Sequence, residues 1–225
     1  MKKQTPDEIE KIQQAILDRE VEEELQKERL INFWNKYRFL IIGGVVAVVV
    51  SVAGTQGYHS WYSKIRLKES NIFENAAVLN VSGKQEEALK NLNSLSATAK
   101  TDYKYLAELK KAGIHLSQNN KEEALKTLKA LSEAKSAPEA LKSVALLSYV
   151  GHQIETGNAD ELQALLTPLL NEKNAYFLPA TELKVAILLK QEKKEEAKKT
   201  LQEATLNPNL TPNATERINT LLSAI

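Results

Sequence analysis

"NNKEEALKTL", residues 119–128, returns three more times with its landmarks in place. The other copies are "GKQEEALKNL" (83–92), "GNADELQALL" (157–166) and "EKKEEAKKTL" (192–201). Their first residues, Gly83, Asn119, Gly157 and Glu192, stand 36, 38 and 35 apart. Five residues on come Ala88, Ala124, Leu162 and Ala197, and nine on come Leu92, Leu128, Leu166 and Leu201. Twelve residues before the first of these columns stand Ala76, Ala112, Val150 and Val185. Each landmark has a physical reason. Gly or Asn ends a helix in the left-handed conformation at little steric cost. The Glu residues that follow complement the positive end of the next helix. A small residue in each helix allows close packing, and the Leu one turn later fills the seam. Each copy is therefore a helical hairpin that cannot bury its apolar side alone, and stacking four makes a continuous core.

The rest of the C-terminal region fits that plan. Its periodicity is helical throughout, with no alternating strand pattern, so the expected class is all-α. Pro138, Pro179, Pro208 and Pro212 fall near unit boundaries, and "SAPE" (136–139) reads as a capping box opening the third unit. Ile218, Leu221, Leu222 and Ile225 form a last amphipathic helix able to cap the stack. The spacing and the small-residue columns resemble the tetratricopeptide repeat, although most of its aromatic positions are absent and the period drifts. About four degenerate repeats follow from this, with Ala76, Ala88, Ala112, Ala124, Val150, Leu162, Val185 and Ala197 as their defining positions.

Upstream the chain changes character. Residues 39–63 contain no Asp, Glu, Lys or Arg. As a helix these 25 residues cover about 37 Å, enough to cross a hydrocarbon core of about 30 Å. Ten of them, Phe39, Leu40, Ile41, Ile42, Val45, Val46, Val48, Val49, Val50 and Val52, supply about −3 to −6 kcal/mol of insertion energy. Phe33, Trp34 and Tyr37 on one side and Tyr58, Trp61 and Tyr62 on the other look like interfacial aromatic belts. A signal peptide does not fit, because 38 largely polar residues precede the run. The reading is one transmembrane helix over 36–62. Within it Gly43, Ala47, Ser51 and Gly54 share a face on which another helix could pack.

Residues 1–35 read as a charged, amphipathic helical arm. It opens at "TPDE" (5–8), with Thr5 as cap and Pro6 in the first turn, and carries a stripe of Ile9, Ile12, Ile16, Leu17, Val21, Leu25 and Leu30. Five basic residues flank the run before it and three after it, which favours a cytoplasmic N-terminus and a periplasmic domain at 63–225. There are no cysteines, which suits either redox compartment. The N-x-S/T triplets at Asn80, Asn209 and Asn213 are short enough to arise by chance.

Catalytic signatures are missing. There is no phosphate-cradling glycine loop, no GxSxG, no HExxH and no cysteine site. His115 and His152 fall at near-matching places in adjacent repeats, but no carboxylate is placed to complete a metal site. The Glu pairs sit at helix starts and serve helix-end electrostatics. Residues 64–225 hold 22 basic and 20 acidic side chains, which is no nucleic-acid footprint. The expectation is a protein without enzymatic activity, cofactor, metal or nucleic acid.

The layout as a whole, an arm "REVEEELQKERLINFWNKYR" (19–38), one span and about four degenerate hairpins, resembles the YfgM-like family of ancillary subunits of the bacterial SecYEG translocon. The resemblance implies a single-pass inner-membrane protein whose periplasmic repeats bind the translocon, periplasmic chaperones or exported chains. The rival reading from the residues is a self-associating envelope scaffold, held as a homodimer through the span or the arm.

Overall fold

A computed structural model describes residues 6–225, with side chains from Glu24 onward except Leu40, Ile41, Ile42 and Val45. The described residues form nine α-helices and one 3-10 turn, with no strand. In chain order these are α1 (Pro6–Val81), α2 (Gln85–Thr98), α3 (Tyr103–Ser117), α4 (Lys121–Ser132), α5 (Glu139–Gln153), α6 (Ala159–Leu166), the 3-10 turn Thr167–Leu169, α7 (Phe177–Lys190), α8 (Lys194–Thr205) and α9 (Pro212–Ala224). The chain divides between Tyr62 and Ser63 into two compact units.

In the second unit the hairpins are the end of α1 with α2, α3 with α4, α5 with α6, and α7 with α8. Three hairpin turns share one chemistry. Gly83, Asn119 and Glu192 adopt left-handed φ of 79°, 59° and 62°. At each turn the next N–H reaches back five residues: Lys84 to the Leu79 carbonyl, Asn120 to His115 and Lys193 to Leu188, at 2.8–2.9 Å. The left-handed residue itself donates three residues back, to Asn80, Leu116 and Leu189. These are Schellman closures, which satisfy carbonyls that a helix end would leave bare. Glu192 holds this conformation without the help of a Gly or Asn, against a cost of about 1 kcal/mol.

The fourth turn departs from the expectation. Gly157 is not left-handed; its N–H bonds to the Gln153 carbonyl at 2.7 Å. Glycine is needed there for space, because a Cβ would stand 2.9 Å from that carbonyl oxygen and 3.1 Å from Leu162 Cδ1. One sequence column therefore holds glycine for two different reasons. After the turns, Asn120 caps α4 by accepting from Glu123 N–H, and Asn158 caps α6 by accepting from Asp160 and Glu161 N–H. The expected box at 136–139 does not form. Pro138 is the residue before α5 and makes no side-chain cap, while the Ser136 hydroxyl takes a 2.6 Å bond from Tyr105 Oη instead. Thr211 does cap α9, accepting from Ala214 N–H, with Pro212 in the first turn. Thr5, the expected cap of the arm, lies outside the described residues.

The core is four apolar nests, each closed by the helix that follows the hairpin. Ala76 of α1 and Ala88, Leu92 and Leu95 of α2 receive Ala107 and Ile114 of α3. Ala112, Ala124, Leu128 and Leu131 receive Ala145 of α5. Val150, Leu162 and Leu166 receive Ala180 and Ile187 of α7. Val185, Leu188, Ala197, Leu201 and Ala204 receive Ile218 of α9, with Leu221, Leu222 and Ile225 packed around it. Thus α9 takes the place of a fifth first helix and closes the C-terminal end.

The first unit is a stretch of α1 whose described large side chains are exposed: Leu30, Phe33, Trp34, Phe39, Val46, Val48, Val49, Val50, Val52, Tyr58 and Trp61 among them. Phe33 and Tyr37 lie 4.9 Å apart, and Tyr58 stacks on Tyr62 at 6.2 Å. Ser51 Oγ and Thr55 Oγ1 donate to the Ala47 and Val52 carbonyls of their own helix. Among the described residues no helix is long and apolar enough to cross a membrane. Leu40, Ile41, Ile42 and Val45, four of the ten side chains on which the expected span rests, lie outside them. The arm residues Ile9, Ile12, Ile16, Leu17 and Val21 do so as well.

Candidate protein-docking surface

First helices touch first helices along the stack, α3 against α5 and α5 against α7. On α3, Leu106, Lys110, Gly113 and Ser117 recur at helical spacing and share one face. The corresponding positions are Val144, Ser148, Gly151 and Glu155 after α4, then Pro179, Leu183, Ala186 and Lys190 on α7. The faces join directly: a Cβ at Gly151 would lie 3.6 Å from Leu183 Cδ2, and Lys190 Nζ reaches the Ile154 carbonyl at 2.5 Å and Glu155 at 3.4 Å. Gly113 and Gly151 are exposed, and a Cβ at Gly113 would meet nothing within 4 Å. The opposite face of α3 is more enclosed; there Lys111 and Glu108 pair at 3.1 Å with 15% and 30% of their side chains exposed.

This open face carries little charge. Glu155 and Lys190 offset each other, which leaves Lys110. Its apolar and small residues give contact area, and its two glycines let a bound chain approach the helix backbone closely. Such a surface can hold an uncharged segment by apolar contact and shape.

The eight repeat-defining residues all lie in the nests. Ala76, Ala88, Ala124, Val150 and Ala197 are fully buried, and Ala112, Leu162 and Val185 nearly so. They build the scaffold and do not line the open face. Gly43, Ala47, Ser51 and Gly54 lie on exposed helix, and a Cβ at Gly43 or Gly54 would meet nothing within 4 Å. His115 is half-buried in the last turn of α3 with Nδ1 unpartnered, while His152 is exposed at the end of α5. Among the described residues no three His, Cys, Asp or Glu side chains gather as a metal site.

Sequence reasoning missed two features. The first is a second small column, Ala107, Ala145 and Ala180, five residues before Ala112, Val150 and Val185, through which each hairpin seats on the one before. Its spacings of 38 and 35 repeat those of the turns, so it was there to be read. The second is Glu69. Its buried carboxylate accepts from Lys100 N at 2.7 Å, from Thr101 N at 3.2 Å and from the Thr101 hydroxyl. It thereby ties α1 to the loop before α3, across 32 residues that no local pattern links.

Two titrating groups are shifted by these packings. Glu182 faces Arg217 of α9: Nη2 donates to Oε2 at 2.7 Å, and Nε stands 2.5 Å from Oε1 as an ion-pair contact without hydrogen-bond alignment. Burial raises the Glu182 carboxyl above its usual range, and Arg217 only partly opposes that. Tyr105 is held below its usual range by the Ser136 hydroxyl, against burial and with help from Lys104.

A family profile described as a tetratricopeptide repeat-like domain matches residues 32–222. No curated protein and no solved structure matches the chain. With most of its length matched, this chain belongs to the tetratricopeptide repeat-like domain family, whose helical repeats bind protein partners.

Proposed function

We propose that this chain is a membrane-tethered adaptor without catalytic activity on the bacterial Sec export pathway. In this reading residues 36–62 cross the inner membrane, residues 1–35 lie in the cytoplasm, and the repeats from residue 63 lie in the periplasm. There the open face of α3, α5 and α7 binds translocon subunits, periplasmic chaperones or exported chains. The observation that carries the adaptor reading is this face, continuous over three repeats, glycine-floored and nearly uncharged. Exported chains pass through an unfolded state that displays apolar segments, and such a surface suits them.

Support for the tether comes from the run of 25 uncharged residues and its exposed side chains. A helix apolar on all sides needs cover, and lipid is one such cover. The hydroxyls of Ser51 and Thr55 are satisfied within their own helix, as lipid requires. The family match begins at residue 32 and so takes in the run. The YfgM-like resemblance supplies the Sec pathway and the named partners.

A photo-crosslinker at Ser148 or Gly113 in native membranes, read by mass spectrometry, tests the function. Translocon and chaperone adducts support the adaptor; adducts with the same chain alone would replace it with the scaffold. Protease added outside spheroplasts should digest the repeats and spare the arm, and the reverse pattern would invert the topology.

A further inference from the structure

The stack is closed at one end and open at the other. Each later first helix seats on the hairpin before it, through Ala107 and Ile114, through Ala145, and through Ala180 and Ile187. The first hairpin has no predecessor. Thirty-six residues before Ala107 and Ile114 stand Asn71 and Val78, both exposed, Val78 to 64%. Leu67 beside them is also 64% exposed. Between α1 and α2 the surface leaves a groove of ≈ 540 Å³ with Leu67, Asn71 and Ile72 on one wall and Asn91 on the other. Lys64 and Lys68 also line it. The nearest acid in sequence, Glu69, is turned into the loop before α3 and does not offset them.

We propose that this open end takes one acidic amphipathic helix from a protein partner, with its apolar side on Leu67 and Ile72 and its carboxylates beside Lys64 and Lys68. The proposal rests on the adaptor reading and names the chemistry of one partner contact. The fold itself seats a first helix on the preceding hairpin at each repeat junction, so the open end presents the geometry of a helix-to-hairpin contact with one side unfilled. From Lys64 to Asn75 the wall runs about 17 Å, the length of a helix of about 11 residues. Charge selects the partner: a second copy packed face to face would bring two lysine pairs together. A lipid headgroup would engage the lysines alone and leave the apolar wall bare.

The test uses the full chain in detergent micelles and two synthetic helical peptides. Both carry the same apolar stripe, flanked in one by Glu and in the other by Lys. The Glu peptide should bind, with backbone amide shifts centred on residues 64–75 and 91–94. K64E/K68E should weaken it about tenfold and invert the preference toward the Lys peptide. Leu67→Arg should abolish binding of both while circular dichroism stays unchanged, since Leu67 is exposed. Equal affinity for the two peptides, or shifts centred on Gly113 and Ser148, overturns the proposal. Lysine-dependent binding to phosphatidylglycerol vesicles with neither peptide bound assigns the end to lipid, and Leu67-dependent self-association assigns it to a second copy; either overturns it. If the peptides fail while Ser148 still crosslinks to translocon or chaperone, only this inference falls. If Ser148 crosslinks to neither, the adaptor reading falls with it.

Discussion

Helix α1 passes through two environments, and its side chains obey opposite rules in them. Before Tyr62 the large apolar residues are exposed; Val49, in the middle of the uncharged run, is 60% exposed. After Ser63 the same helix buries Ala76 completely and even buries a carboxylate, Glu69. Apolar content predicts the wrong order, because the valine-rich stretch is the bare one. What decides burial in this protein is whether a second helix arrives at the right spacing. From residue 63 onward α2 and α3 do so. Along the run the described large side chains are exposed.

The same substitution in the two regions gives the harshest test. Ala124→Arg forces a charge and a long side chain into a fully buried seam, and should cost several kcal/mol, about 3–5, in thermal melts of the repeats. Val49→Arg should leave that melt unchanged and instead weaken partition into lipid vesicles. If both lowered the melt alike, the run would be part of the core and the contrast would fail.

Glu69→Ala sharpens the second half of the comparison. It strands the Lys100 N–H and, at buried Thr101, a second N–H and the hydroxyl, for a loss of about 2–4 kcal/mol by chemical denaturation. Glu69→Gln keeps the acceptor oxygen and should lose distinctly less. Equal losses would mean that the contact is one of shape and not of hydrogen bonding.

The turns allow a finer cut. Gly157→Ala should cost about 1–3 kcal/mol because a Cβ collides with the Gln153 carbonyl. Glu192→Gly should stabilise by about 0.5–1 kcal/mol by relieving a left-handed residue. A loss on Glu192→Gly would show that the side chain contributes more than the strain removes. Lys126, on the exposed side of α4, is the control: Lys126→Ala should stay within about 0.5 kcal/mol.

The smallest expected effect is a pH dependence at the closed end. Burial raises the Glu182 carboxyl above its ordinary 4.5 in the folded chain. The folded state therefore holds this proton more tightly than the unfolded state. That contribution is fully present below about pH 4.5 and is lost as pH rises through the folded value. Glu182→Gln should flatten the pH profile of stability just above 4.5 and leave the acid side little changed. A steeper profile would mean that Arg217 dominates over burial.

Much of the fold was legible because it repeats. Four turns at nearly constant spacing, with small residues and leucines at set distances, name a stack of helical hairpins whatever their neighbours. Left-handed Gly83 and Asn119 match the expectation from residue type at a helix end, whereas Gly157 in the same column does not. The terminal helix could be read from Ile218, Leu221 and Leu222, since three apolar residues at helical spacing need a surface to meet. The open face was not legible. Leu106, Val144 and Leu183 look like core residues in sequence, and Gly113 and Gly151 look like weak points in helices. Only the stacking of first helices leaves Val144 exposed and Leu106 and Leu183 half-buried along one surface. Glu69 could not be read either, since a lone Glu on a charged helix normally faces water and its partners arrive 32 residues later. Ser136 shows the limit of local rules: its box pattern was correct in spacing, but Tyr105, brought alongside by the packing of α3 on α5, took the hydroxyl. Sequence by itself determined the repeat, because helix ends and seams are chemistry between near neighbours. Tertiary structure decided which faces are free to bind, because exposure depends on where the other helices stop.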